Sequence, residues 1–301
     1  MTAIRALRLV EEHLFGFVLL SVAVGFLFPA LGELTPLSLP ILAVMVGSVS
    51  LTLSPAAFRA VDRRALVVVL LVQTGMAFAG FVVATLLGLS PALVLGFVVL
   101  GAVTPELVTP TMTELADGDT ALATVVLVLV GLGSLALVPG FVTLLVGDVP
   151  VPAGRIVENL LLAVVLPMTV AVAARARFPE RVARGDDQYP AISALTVVCI
   201  IGIVTAANAG LIRANAALVP AIAVGAVALN LVGYAGGWLA ATPFDRRTRI
   251  AATLSVGMRD FAVAAALVVA AGFPPIAALP AVVFGVVEMA TSAWLAGRFG
   301  G

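Results

Sequence analysis

The chain contains no lysine, a single cysteine (Cys199) and a single histidine (His13), and only 11% of its 301 residues are charged, against about 25% in an ordinary globular domain. Each shortage excludes something. One cysteine can form neither an internal disulfide nor a thiolate metal cluster, and His13 stands in a polar N-terminal run without a His or Cys partner. Zinc, haem and thiol chemistry are therefore not expected, no metal site is predicted, and no cofactor is implied. The 16 arginines are balanced by 16 acidic residues, so no basic face exists to attract nucleic acid, and no nucleic-acid partner is expected. What fills the chain is apolar: 62% of residues are hydrophobic and the mean hydropathy is +1.22. That composition suits a protein whose solvent is the lipid bilayer.

A spanning helix needs about 20 apolar residues. Apolar runs between punctuating charges, prolines and glycines predict helices near 14–32, 37–54, 65–88, 91–116, 120–146, 156–174, 190–212, 216–241, 249–272 and 276–297,. A membrane barrel would need period-two alternation, and runs such as Ala65 to Val72 show none. The expected fold class is thus an all-α membrane protein with ten transmembrane helices. The first run follows Arg5 and Arg8 as a signal peptide would, but without a small-residue cleavage site, and it reads as an uncleaved first helix. Arginine placement tests the count, because cytoplasmic loops hold the excess. Alternating sides from the N-terminus puts Arg5, Arg8, Arg59, Arg63, Arg64, Arg175, Arg177, Arg181, Arg184, Arg246, Arg247, Arg249 and Arg298 on one side, and only Arg155 and Arg213 on the other. A multi-pass protein of the cell membrane, with both termini cytoplasmic, is expected.

The loop around Val149 to Gly154 divides the chain into 1–147 and 148–301, five predicted helices each. An odd number per half places the second upside down relative to the first, so the two halves are expected to be inverted repeats. In such carriers the substrate site lies at the midplane, where corresponding helices are broken. The fourth run of each half carries break signals. From Gly101 to Ala116 the first contains Pro105 and Pro110, each removing a donor and crowding the preceding turn. The second reads Ser255-Val-Gly-Met-Arg-Asp260, with Gly257 beside two charges in otherwise apolar sequence. A simple proline kink and a snorkelling arginine is the plainer reading of the same residues.

Together, Leu51-Thr-Leu-Ser-Pro-Ala-Ala-Phe58, Thr109-Pro-Thr-Met-Thr-Glu-Leu-Ala-Asp-Gly-Asp119, Ser255-Val-Gly-Met-Arg-Asp260 and Ala278-Leu-Pro-Ala-Val-Val-Phe284 resemble the bile acid:sodium symporter family, within the wider group of bile, arsenite and auxin-type carriers. The resemblance spans most of the chain. It implies a core domain holding broken, crossing helices four and nine, a panel domain made of helices one, two, six and seven, alternating access between them, and uptake of organic anions with sodium. Several positions depart from it. Pro110 stands where the family places a sodium-binding Asn, although Thr109 keeps the preceding hydroxyl. Two hydroxyl positions of helix five are Ala123 and Leu127, and the shared Glu of helix nine is Ser255. Gln73 matches the second sodium site, but its helix-nine partner is Arg259, whose fixed charge repels Na⁺. Sodium binding is therefore not expected. Arsenite carriage is disfavoured as well, because the broken fourth helix lacks a thiol.

At ~1.5 Å per residue, Glu106, Arg259, Asp260 and Glu288 all fall near half depth. A charge there costs at least ~2.5–3.5 kcal/mol on insertion scales, so such groups pair or line a wet cavity. Arg259 is the candidate counter-ion for an anionic substrate, or for Glu106 or Asp260 in a static bridge that locks the crossing. Burial raises a carboxylate pKa and a nearby Arg lowers it, which makes Glu288 and Glu106 the proton-coupling candidates. Arg259, Asp260, Thr109, Thr111 and Gln73 are the candidate substrate-binding residues. Pro105, Pro110 and Gly257 are the candidate crossover residues. The expected function is secondary transport of a small organic anion by alternating access, sodium-independent, either proton-coupled or passive. A sodium-coupled symporter and a transport-inactive sensor of the same fold stay open, as does the oligomeric state. An intramembrane hydrolase is disfavoured, because Asp260 and Glu288 lack a catalytic context, and no enzymatic activity is expected.

Overall fold

In a computed structural model of the chain, the residues described are 9–10, 13–53, 56–147, 152–214 and 216–300. Arg5 and Arg8, Ser54 and Pro55, the start of the inter-half loop at Val149, and Gly301 lie outside them. All regular structure among the described residues is helical.

Twelve main helices follow in order: α1 Leu14–Leu27, α2 Ser38–Ser50, α3 Arg63–Leu86, α4 Pro91–Ala102, α5 Thr109–Leu115, α6 Thr120–Leu145, α7 Ala153–Arg177, α8 Tyr189–Ala214, α9 Leu218–Ala240, α10 Arg246–Gly257, α11 Phe261–Ala270 and α12 Leu279–Gly300. Eight stretches, several of them compound, are long and apolar enough to cross a membrane, and α1 and α4 are shorter apolar helices. Large side chains such as Leu71, Leu86, Leu144 and Leu239 are exposed, which only a lipid surround makes favourable. The chain is a multi-pass membrane protein.

Local chemistry sets the helix ends. α3, α6 and α10 each start on an aspartate whose carboxylate accepts a backbone N–H: Asp62 from Arg64 at 2.8 Å, Asp119 from Leu122 at 3.1 Å and Asp245 from Thr248 at 2.8 Å,. The Thr248 backbone N–H also holds the Asp245 carboxyl below its ordinary pKa. The first predicted run is cut short, because Pro29 opens a 3-10 segment, Pro29–Leu37, that leads into α2. Inside α7 the backbone widens to a π-turn over Leu161–Val165, just before Pro167. The wider turn accommodates a residue that has no N–H to give and a ring that crowds the turn before it.

Two sets of helix contacts are joined by packing of α6 on α7 and of α11 on α2 and α8. α1 and α2 pack on α8, and α2 also packs on α7. In the other group α3 packs on α4 and α9, α9 on α10 and α12, and α6 on α4, α5 and α10. Two close helix contacts have the same character. A Cβ on Gly80 of α3 would overlap the Phe97 carbonyl of α4, and one on Gly237 of α9 would overlap the Ala252 carbonyl of α10. Its neighbour Gly236 instead faces the Val72 side chain.

Candidate functional site: two broken helices and a cavity

α4 stops at Ala102, followed by extended Val103 (φ −70°, ψ 174°) and by Thr104, which precedes Pro105 and is pushed out of helical backbone by its ring. The chain resumes as α5 at Thr109, with Pro110 in the first turn. There a missing N–H removes no helical bond. The expectation that both prolines interrupt is corrected: Pro105 lies in the break and Pro110 restarts the helix. The second break is shorter. α10 ends at Gly257, Met258 is extended (φ −82°, ψ 123°), and the Asp260 carboxylate starts α11 by accepting from the Val263 N–H at 2.8 Å,.

The two breaks are bonded to each other. The Glu106 N–H donates to the Met258 carbonyl at 3.3 Å, and the Asp260 N–H donates to the Thr104 carbonyl at 3.0 Å. These bonds flank Pro105 and Arg259, which stand opposite each other as the non-hydrogen-bonded pair of a minimal antiparallel ladder. Exchanging the two segments maps the pattern onto itself, Thr104 onto Met258 and Glu106 onto Asp260. Backbone without helical partners at this depth is thereby satisfied within the protein.

Arg259 is wholly buried. Its Nε donates to the Leu100 carbonyl at 3.2 Å, and its Nη2 donates to the carbonyls of Gly101, at 2.5 Å, and Val103. These are end-of-helix oxygens of α4, which lack intrahelical partners and mark the negative pole of the helix dipole. No ion pair joins Arg259 to Glu106, Asp260 or Glu288. The guanidinium thus forms neither of the carboxylate bridges that the sequence left open beside a substrate contact, to Glu106 or to Asp260, nor part of the wall of the adjoining cavity. At the second break the corresponding oxygen, the Gly257 carbonyl, accepts from the Asn230 Nδ2 at 3.2 Å. Asn230 Oδ1 accepts from the Thr291 hydroxyl at 2.8 Å, and Tyr234 closes over Gly257, where a Cβ would overlap its ring.

Beside the crossing lies a cavity of about 740 Å³ between α1 and α8 on one side and α5, the start of α11, and α12 on the other. Glu106, Thr111, Ser193, Glu288 and Ser292 supply its polar wall, and Asp186 and Asp187 line the end formed by the connection into α8. Asp186 there is held by Arg175 in a bidentate pair at 2.5 and 3.0 Å. Glu106 and Glu288 are 5% and 1% exposed. Glu106 Oε2 and Glu288 Oε1 have no hydrogen-bond partner. A second, apolar cavity of about 320 Å³ lies toward the other ends of α1, α8 and α12, among Leu19, Phe26, Ile212, Leu279 and Val283.

The structure therefore brings Glu106, Thr111 and Glu288 together and leaves the other candidates outside the wall. Asp260 caps α11. Thr109 donates its hydroxyl to the Met258 sulfur at 3.9 Å. Gln73 is buried with both amide atoms unpartnered, as is the Ser255 hydroxyl. Ser193 and Ser292 were not singled out by the sequence, and their only signal is a hydroxyl in an apolar run. No group of three or more His, Cys, Asp or Glu among the described residues is arranged to hold a metal ion.

An all-helical, multi-pass membrane protein with two interrupted helices crossing in its interior and a cavity reaching them has the architecture of a membrane transporter. The model of the sodium bile acid symporter family matches residues 39–215, more than half of the chain, and the chain belongs to that family. It is also similar to a protein of Bacillus subtilis (strain 168) described as an uncharacterized sodium-dependent transporter, YocS. The two are 26% identical over 294 residues, which cover 95% of this chain and 90% of the relative.

Proposed function

We propose that this protein is a secondary transporter that works by alternating access, independently of sodium, with Glu106 and Glu288 as its proton-coupling groups. One observation carries the reading: two buried carboxylates with unpartnered oxygens share the wall of a cavity that also reaches the crossing. Buried charges are normally paired, so carboxylates left in this position exchange their charge with something that comes and goes. The α1–α2–α7–α8 group is read as the panel and the remaining helices as the core, assembled from inverted halves 1–147 and 148–301 in ten spans. The two cavities lie along the same α1, α8 and α12 surfaces, so sliding of one group past the other closes one and opens the other. The larger cavity reaches the Arg175–Arg184 side, which is read as cytoplasmic. A small organic anion, the cargo implied by the family, shares this wall only when both carboxylates are protonated, as a proton symport.

Support for sodium independence comes from Pro110, Ala123, Leu127 and Ser255, and from Arg259, whose charge already occupies the carbonyls at the end of α4. The printed description of the Bacillus relative favours a second reading, sodium-coupled symport. Proteoliposomes separate the two. Uptake of a labelled panel of small carboxylates and amines is expected under an imposed pH difference without sodium, and is expected to lose its pH dependence in Glu288→Gln. Uptake driven only by a sodium gradient would overturn the proposal in favour of the second reading, and no flux under any gradient would leave a sensor. Orientation is checked with cysteines at Arg177 and Arg213: an impermeant reagent applied to sealed cells should label only the latter.

A further inference from the structure

We infer that the smaller, apolar cavity is a second cargo site, where a carboxylate with an apolar body lies with its charge on Arg213 before it reaches Glu106 and Glu288. This rests on the alternating-access reading above, and it adds the class of the cargo and the residue that selects its sign. The lining of the larger cavity contains no basic side chain, so no fixed positive charge there attracts an anion. Arg213, at the end of α8 on the side read as external, supplies one beside the smaller cavity. Its guanidinium carbon lies 4.7 Å from the centroid of the Phe26 ring, and its Nη2 donates to the Phe26 carbonyl. Phe26 and Ile212, the residue before Arg213, both line the cavity. Ring and carbonyl of one α1 residue thus hold a permanent charge at the mouth of an apolar space. Arg213 is exposed and, among the described residues, forms no ion pair with a carboxylate.

The rest of the lining fits the body of such a molecule. A volume of about 320 Å³ is at the lower end of the range for small-molecule sites, which suits a single ring on a short chain. Thr205 is the one polar residue of the lining, and its hydroxyl is buried without a hydrogen-bond partner. It lies eight residues before Arg213 on α8, about 12 Å along the helix axis, and so marks the inner end of the space whose mouth Arg213 guards. α1 and α8 form one side of the cavity and α9 and α12 the other. In the reading above these belong to panel and core, so a molecule bound here touches both of the groups whose relative motion carries it. Its carboxylate gains a charge-assisted bond to the guanidinium, and its body leaves water for an apolar wall. An organic cation meets like charge at the mouth, and a neutral molecule of the same shape gains only the apolar part. The sign of the cargo is thus selected at Arg213, and the Glu106 and Glu288 wall then accepts the same carboxylate together with protons.

The test uses the full-length protein in nanodiscs of zwitterionic lipid, with 4-phenylbutyrate as the anion and 4-phenylbutyramide as its neutral counterpart. The acid should bind saturably and about fivefold more tightly than the amide, the scale of an exposed charge pair. Arg213→Gln should weaken the acid about fivefold and leave the amide unchanged, while Arg213→Lys should keep most of the preference. Ala23→Phe, which fills the cavity from an exposed position of its wall, should weaken both ligands. Equal binding of acid and amide by the wild type, or no saturable binding of the acid, would overturn the inference even if none of the variants folds. Retention of phosphatidylglycerol that depends on Arg213, without binding of the acid, would overturn it in favour of a lipid headgroup at the same guanidinium. The proton-coupled reading is judged separately, by uptake of labelled 4-phenylbutyrate into liposomes. Uptake that ignores an imposed pH difference, with the preference for acid over amide intact, would overturn that reading and leave this site standing.

Discussion

The two breaks are related by a local two-fold pattern of hydrogen bonds, yet they are built from different chemistry. The first is longer, Val103 to Val108, contains a proline, and has the end of its preceding half-helix held by a buried guanidinium from the other segment. The second, Met258 to Asp260, begins after a glycine, has its half-helix end held by the neutral amide of Asn230, and restarts on a carboxylate cap. The same geometric problem, orphaned carbonyls inside a membrane protein, is met once with a charge and once with a dipole. A charge-assisted bond is stronger but carries a desolvation cost that grows if its partners are lost. The first break should therefore be the more sensitive of the two to a single substitution.

Substitutions rank this difference. Arg259→Gln leaves the Leu100, Gly101 and Val103 carbonyls underbonded and should destabilise the folded protein by about 3 kcal/mol or more, read as a large drop in melting temperature in detergent. A drop no larger than that of Asn230→Ala would erase the distinction between charge and dipole. Gly257→Ala drives a Cβ into the Tyr234 ring and should cost about 1–3 kcal/mol by overpacking. Adding Tyr234→Leu should recover part of it, and failure to recover would point to the backbone instead. Asp260→Ala removes the cap on α11 and should cost about 1 kcal/mol, while Asp260→Asn retains most of the stability. Smallest of all is Pro110→Ala, at about 0.4 kcal/mol, an effect on the unfolded chain alone. A loss comparable to Arg259→Gln would mean that Pro110 shapes the break after all.

The locations of both breaks were legible in the sequence, because Pro105 and the Gly257–Asp260 cluster act on the backbone through short-range sterics and capping. The rise per residue also put Glu106 and Glu288 at a similar level, and the two line one cavity. The direction of the Arg259 side chain was not legible. Whether a guanidinium at the crossing meets cargo, a carboxylate or the end of α4 depends on which segment lies above which, and periodicity says nothing about that. Ser193 and Ser292 were hidden for a different reason. A hydroxyl in an apolar helix ordinarily bonds the preceding turn, as Ser292 does with the Met289 carbonyl at 3.4 Å, and no pattern tells which of them also borders a cavity. The truncation of α1 was readable from Pro29 and was missed because the apolar run continues beyond it.

The paired bonds between Thr104–Glu106 and Met258–Asp260 have a mechanical consequence. Two antiparallel bonds on either side of a single residue pair remove both translation and rotation at the point where they act, as a rivet does. Four half-helices meeting at a rivet cannot shear past one another there, so any motion that moves cargo across the membrane has to pass around the crossing. The amide protons of Glu106 and Asp260, set where four half-helices meet, should then be among the slowest in the protein to exchange with solvent.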